Sequence, residues 1–269
     1  MGILNLTPDS FSDGGQYNAP DQALAHTEAM LAAGASLIDI GGFSSRPGAD
    51  MVPVEEELRR VEGITASILA RFPEALISVD TYRPEVARPL LDLGVHLIND
   101  ITGGRGMTDD YAADSGMIAL LAEYGDVPYI MMHMQGIPAT MQQGPQYRDV
   151  VEEVSQYFVQ KIQQARAAGL KDVVIDPGFG FGKRLLHNHQ LLGGLRRLVQ
   201  LDCPVLVGIS RKSMLHRFLD TTPDDVLDLA SALHFQALRM GARLLRVHDV
   251  REAMRVVKLY QYWQEHGIV

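Results

Sequence analysis

The chain has 269 residues, near the roughly 250 of one α/β barrel and also long enough for two smaller domains. With 46% apolar and 21% charged residues it has the make-up of a soluble globular protein with a sizeable core. The formal charge of −9 excludes a general binder of nucleic acid or anionic membrane, because phosphate would be repelled, but leaves room for a small anionic substrate held by a few cations.

The first element is already a strand: Gly2-Ile3-Leu4-Asn5-Leu6 starts at the second residue, so it is expected that either native residues upstream of Met1 are missing or the start is placed late. Helical spacing follows over 21–33, a strand over 37–40 and a helix over 53–71. Next come a strand over 76–79, a helix over 84–93, and strands over 96–98 and 129–132. A helix over 147–168 leads to strands over 173–175 and 204–209, and a helix over 223–240 leads to a last strand over 244–247. Gly34, Gly94, Gly169 and Gly241 each stand between a helix and the next strand, where glycine supplies a left-handed cap. Eight apolar runs with intervening helices predict parallel βα units in one domain over 1–269, a (β/α)8 TIM barrel. A doubly wound open sheet is the competitor, and its dinucleotide fingerprint is absent after the first strand. No run reaches the ~20 apolar residues of a membrane span, and no leader-like segment opens the chain. The single cysteine, Cys203, cannot form an internal disulfide and is expected to be a buried thiol, which fits a cytoplasmic protein.

In a barrel the chemistry sits at the strand C-terminal ends. Here every such end is polar: Asn5, Asp39, Asp80-Thr81, Asn99-Asp100, His133, Asp176, Ser210-Arg211-Lys212-Ser213 and Arg246-Val247-His248-Asp249. A polar site at one mouth is the expectation. Structural roles compete residue by residue. A lone Asp after a strand is more often a helix cap or turn former, which covers Asp9, Asp13, Asp100 and Asp249. His133, among methionines, reads equally as a bonded core histidine or a contact residue. His187, His189, His216, His234 and His266 read as solvated or capping. With one cysteine and no HExxH pair a structural zinc site is not expected. The Gly-rich strings 41–48 and 178–183 match no P-loop spacing and show only close backbone approach.

Taken in order, the strings Gly2-Ile3-Leu4-Asn5-Leu6-Thr7-Pro8-Asp9-Ser10-Phe11-Ser12-Asp13-Gly14-Gly15, Ile38-Asp39-Ile40-Gly41-Gly42-Phe43-Ser44-Ser45-Arg46-Pro47-Gly48, Ser78-Val79-Asp80-Thr81, Asn99-Asp100, Met132-His133-Met134-Gln135-Gly136, Asp176-Pro177-Gly178-Phe179-Gly180-Phe181-Gly182-Lys183, Ser210-Arg211-Lys212-Ser213 and Arg246-Val247-His248-Asp249 resemble the motifs of the dihydropteroate synthases. The resemblance spans nearly the whole chain. It implies condensation of 4-aminobenzoate with 6-hydroxymethyl-7,8-dihydropterin pyrophosphate, with Mg2+ assisting and a homodimer formed through late helices. It also implies a sulfonamide target. By position, Asp176, Asp80 and Asn99 match the pterin-facing residues, Lys212 the lysine that contacts the pterin, and Asp80, Asp176, Lys212 and Arg246 the catalytic set. Ser213, Phe181, Ser45, Arg46 and Pro47 match the 4-aminobenzoate side; Asn5 matches the Mg2+ ligand, and Arg246 and His248 the pyrophosphate end. The family's mechanism is described as dissociative, with a pterin cation captured by the amine.

The chain departs from the family in its second loop, where Phe43 and Ser45 stand in place of Glu and Thr. One rival is a methyltetrahydrofolate:corrinoid methyltransferase, which shares the pterin-facing residues but needs no pyrophosphate end. Another is a barrel that binds pterin without turnover.

Overall fold

Within each apolar run successive side chains point to opposite faces, so a strand buried on both sides must fill two separate cores. The computed structural model, which describes residues 1–7, 19–44 and 51–268, shows both. Eight parallel strands alternate with helices: β1 (Gly2–Asn5), α1 (Ala19–Ala32), β2 (Leu37–Gly41), α2 (Val54–Arg71), β3 (Leu76–Asp80), α3 (Pro84–Asp92), β4 (Leu97–Asp100), α4 (Met117–Tyr124) and β5 (Tyr129–Met132). The second half runs α5 (Val150–Ala167), β6 (Val173–Asp176), α6 (Leu185–Gly193), α7 (Leu195–Val199), β7 (Leu206–Val207), α8 (Ser213–His216), α9 (Leu227–Arg239), β8 (Leu244–Leu245) and α10 (Val250–Glu265).

β1 to β6 pair in chain order, and β7 pairs with β8. Single bridges join the two sheets, Ile175 to Val205 on one side and Gly2 to Val247 on the other. At the second seam Ile3 N donates to Val247 O and Val247 N to Met1 O, each at 3.0 Å. The strands therefore complete a (β/α)8 ring through two narrow seams, as the strand count predicted.

Outward side chains such as Ile38, Ile40, Ile77, Val79, Ile98, Met131 and Ile175 join the helices in the main core. Inward ones at the N-terminal end form a second cluster of Leu97, Ile130 and Leu206, with Leu37, Val174 and Leu244 packed against it. Full burial of each such aliphatic side chain contributes about 1.5–3 kcal/mol. This plug leaves the polar residues only the other end of the barrel.

Local signals account for the element ends. All four predicted glycine stops adopt φ between 95° and 104°, the left-handed region. α5 starts where Asp149 accepts from Val151 N and Glu152 N, at 3.0 and 3.1 Å. The helix expected over 223–240 is broken, because a 3-10 turn at Pro223–Val226, capped through Thr222 and Asp225, precedes α9. The strand expected over 204–209 shrinks to a two-residue ladder.

Candidate active site

Register places Asn5, Gly41, Asp80 and Asn99 in one row across β1 to β4, since Asn5 pairs with Gly41, Gly41 with Asp80 and Asp80 with Asn99. Two residues below Gly41, Asp39 faces the same interior. Met132 pairs with Asp176, which brings the end of β6 to the same mouth. Glycines leave the space between these groups. A Cβ on Gly41 would lie 3.8 Å from both Asn5 Oδ1 and Asp80 Oδ2, and one on Gly208 would lie 3.8 Å from Arg246 Cβ and 3.9 Å from Lys212 Nζ.

Arg246 ties the ring together. Its Nε donates to Asp39 Oδ2 at 2.6 Å and its Nη2 to Asp80 Oδ2 at 2.8 Å. Asn99 Nδ2 donates to the same Asp39 oxygen at 3.0 Å. The resemblance assigned Arg246 to the pyrophosphate end; the structure seats its guanidinium between Asp39 and Asp80. The other carboxylate oxygens, Asp39 Oδ1 and Asp80 Oδ1, are buried with no protein partner, as is Ser78 Oγ. Buried acceptors of this kind are costly unless a ligand or water meets them.

Burial first, and Asp39's charge in addition, push Asp80 up to about 7 despite the opposing guanidinium. Burial raises Asp176 too, against Lys212, Arg246 and Lys183. Burial works against the charge of Arg246, but Asp39 and Asp80 outweigh it, so the guanidinium stays protonated. Lys212, desolvated beside Asp176, drops to about 8. His248 falls to about 4, by burial first and then by Arg246 and Arg211, so it is a neutral imidazole near pH 7.

The remaining predicted residues come from the loops. Lys212 Nζ donates to Phe179 O at 2.6 Å and lies 4.7 Å from the centroid of the Phe181 ring. Ser213 opens α8 one residue on. His248 is held to the neighbouring strand end by its N–H, which donates to Ser210 Oγ at 3.2 Å. Ser45, Arg46 and Pro47 lie outside the described residues, as do Asp9 and Asp13. Phe43, the departure from the family loop, stands edge-on to Tyr82 at 5.3 Å and packs against the apolar group of Ile101, Met132, Met134 and Met141.

Several structural readings are settled by geometry. Asp100 is a turn former: its carboxylate accepts from Thr102 N, Thr102 Oγ1, Gly104 N and Tyr129 OH. His133 is a bonded core histidine, 3.0 Å from Lys183 Nζ. His187 caps α6, accepting from Arg184 N. His234 corrects the expectation of a solvated or capping role, because it is 4% exposed on the inner face of α9 and its Nε2 has no partner. Asp39 and Lys183 are the site residues the sequence reading left out. Asp39 was noted after the second apolar run; its two-residue offset from Gly41 was the signal that it points inward.

Among the described residues no group of three His, Cys, Asp or Glu could hold a metal. Asn5 Oδ1 beside the Gly41 hollow does suit a hard cation that takes most of its ligands from phosphate and water.

Comparison with known proteins agrees with this geometry. The family model described as pterin binding enzyme matches residues 1–248. The dihydropteroate synthase of Escherichia coli K12 is 47% identical over 263 residues, covering 96% of this chain and 90% of the relative. The Yersinia pestis dihydropteroate synthase, solved with a sulfonamide drug complex, superposes with a TM-score of 0.88 at 43% identity, covering 98% of this chain and 94% of that one. The Xanthomonas albilineans dihydropteroate synthase in complex with 7,8-dihydropteroate gives 0.85 at 39% identity, with 98% and 92% covered. The chain belongs to the pterin-binding enzymes and, among them, to the dihydropteroate synthases.

Proposed function

We propose that this chain condenses 6-hydroxymethyl-7,8-dihydropterin pyrophosphate with 4-aminobenzoate to give 7,8-dihydropteroate and pyrophosphate. The observation that carries this reading is the ring of Asp39, Asp80, Asn99 and Arg246, two of whose buried carboxylate oxygens have no protein partner, with Asp176 and Lys212 close enough to act on it electrostatically. A pterin edge offers a ring N–H beside an exocyclic amine, and a carboxylate such as Asp176 accepts both.

In the reaction the C–O bond between the pterin methylene and pyrophosphate breaks, and its electron pair leaves with the pyrophosphate. The amine nitrogen uses its lone pair to form the new C–N bond and then releases one proton to water. Positive charge growing on the pterin is opposed by Asp80, Asp176 and Asp39, while the Arg246 guanidinium meets negative charge growing on the leaving group. His248, neutral, contributes hydrogen bonding there rather than charge. Asn5 would hold Mg2+, which when bound neutralises phosphate charge. Lys212, above Phe181 and next to Ser213, stands between the pterin and the amine side, where Ser45, Arg46 and Pro47 are assigned by resemblance.

The test mixes the protein, Mg2+, pterin pyrophosphate and 4-aminobenzoate and follows dihydropteroate. Lys212→Ala and Asp176→Ala are expected to weaken pterin binding at least tenfold, because each leaves a buried polar partner unmet, a cost of about 1–3 kcal/mol. Pterin binding without product would favour the non-catalytic reading, and unchanged calorimetric affinity would overturn the two assignments. Sulfonamides, as mimics of the amine, should compete with 4-aminobenzoate.

A homodimer is part of the same proposal. Exposed Leu227 on α9, with Leu259 and Tyr262 on α10, supplies apolar surface on two late helices that pack together. A single-chain mass in sedimentation would overturn it. Among the described residues no helix is long and apolar enough to cross a membrane, which is compatible with the cytoplasmic location proposed here.

A further inference from the structure

Lys183 closes the loop that follows Asp176, and it is only 3% exposed. Taking an ammonium out of water is costly unless its protons find partners. Those partners are not carboxylates. Nζ donates to Gly178 O at 2.9 Å, to Phe181 O at 3.0 Å and to His133 O at 3.3 Å, and it lies 3.0 Å from His133 Nδ1. Burial pulls Lys183 well below the usual lysine range, and a single proton lies between its Nζ and His133 Nδ1. One buried side chain thus joins the end of β5 to two points of the loop after β6.

The gripped peptide is the one next to the candidate pterin carboxylate. Gly178 N donates to Asp176 Oδ1 at 2.8 Å, so this residue is held by its carbonyl through Lys183 and by its amide through Asp176. The rest of the loop is tied with equal completeness. Phe179 O accepts from Lys212, Gly180 O from Gln142 at 2.8 Å and Gly182 O from Tyr147 at 2.9 Å. Every carbonyl from 178 to 182 therefore has a side-chain donor. The loop also lies hard against its neighbour: a Cβ on Gly178 would fall 1.9 Å from His133 O, and one on Gly182 would fall 2.1 Å from Gln135 O. Both glycines also have positive φ, and the backbone collision that any Cβ would make leaves that path to glycine alone.

We propose that Lys183 is a positioning residue for pterin recognition, fixing the start of the loop after β6 so that Asp176 presents its second oxygen to the pterin. Asp176 Oδ1 is already engaged by Gly178, and its second oxygen points correctly only while that peptide is held. The inference rests on the pterin reading above. It predicts that loss of Lys183 acts on the pterin more than on the amine.

The experiment compares the parent with Lys183→Met, Lys183→Gln and Tyr147→Phe, using calorimetry with 6-hydroxymethylpterin and steady-state KM for both substrates. Lys183→Met should weaken pterin affinity at least tenfold and raise the pterin KM, with the 4-aminobenzoate KM changing less than threefold. Lys183→Gln keeps an amide that can donate to two carbonyls and should recover part of that loss. Tyr147→Phe frees only the far end of the loop and should keep pterin affinity within threefold of the parent. Pterin affinity within twofold of the parent in a folded Lys183→Met protein would overturn the proposal. So would equal loss for both substrates, or failure of both Lys183 variants to fold by circular dichroism, which would make Lys183 a folding residue alone. A parent that binds no pterin would instead overturn the functional reading itself.

Discussion

The wall of the barrel has two unlike parts. β1 to β6 form a continuous parallel ladder, and from it come the amides and carboxylates of the site: Asn5, Asp39, Asp80, Asn99 and Asp176. β7 and β8 share a two-residue ladder joined to the rest by single bridges, and they bring the cations and the imidazole: Lys212, Arg246 and His248. Backbone register alone places the first set. The second is placed by side-chain ties: Arg246 to Asp39 and Asp80, Lys212 to Phe179 O, His248 to Ser210. Arg211, just before Lys212, even holds a φ of 56°, with its guanidinium bonded to Asp249 at 2.7 Å. The acceptors are thus built into the scaffold, whereas the cations depend on the very groups they neutralise.

Breaking the tie at Arg246 should have the largest effect. Arg246→Ala strands two buried carboxylates, and loss of one partner of such a set costs about 3–5 kcal/mol. Asp80 takes up a proton as pH falls below about 7, so part of the loss should return at pH 6. Urea denaturation of parent and variant at pH 8 and pH 6 reads both values; a loss under about 1 kcal/mol at pH 8 would mean that the ring does not depend on this cation.

Next in size is Leu206→Ala, which cuts the apolar plug at the foot of the short ladder. A buried Leu→Ala change costs about 2–5 kcal/mol, and pterin affinity should stay within about twofold, because the plug and the mouth are separate layers. A parallel drop in affinity would show that the seam transmits strain to the site.

The smallest effect separates the two parts by pH. Asp80, on the ladder, accepts ligand N–H groups more strongly when ionised, so pterin binding should strengthen as pH rises through about 7. Lys212, on the seam, keeps its charge only below about 8, so activity should fall above that. The kcat/KM profile should be a narrow bell, losing about tenfold per pH unit outside the window. Asp80→Asn should abolish the acid limb; a limb that persists assigns it to Asp176 or to the substrate.

The fold was legible because its signals are local. Short apolar runs and glycine stops at Gly34, Gly94, Gly169 and Gly241 depend on sterics within a few residues, and they marked the βα units. The shortness of β7 and β8 was not legible, since ladder length depends on twist and on a partner strand far away in sequence. Most of the site could be named because its polar residues directly end apolar runs. Asp39 was noted at a strand end but given no role, and Lys183 was read only as the end of a glycine-rich string.

By itself the sequence determined eight βα units, a polar mouth and the family, since composition, alternation and ordered motifs are properties of the chain read along its length. Only the tertiary structure decided which charges meet. Arg246 stands between Asp39 and Asp80 across 207 and 166 positions of sequence, and Lys183 bonds to His133 across 50. The reason is desolvation: a buried charge is tolerable only beside its partner, and that neighbour is chosen by the closing of the ring rather than by the order of residues along the chain.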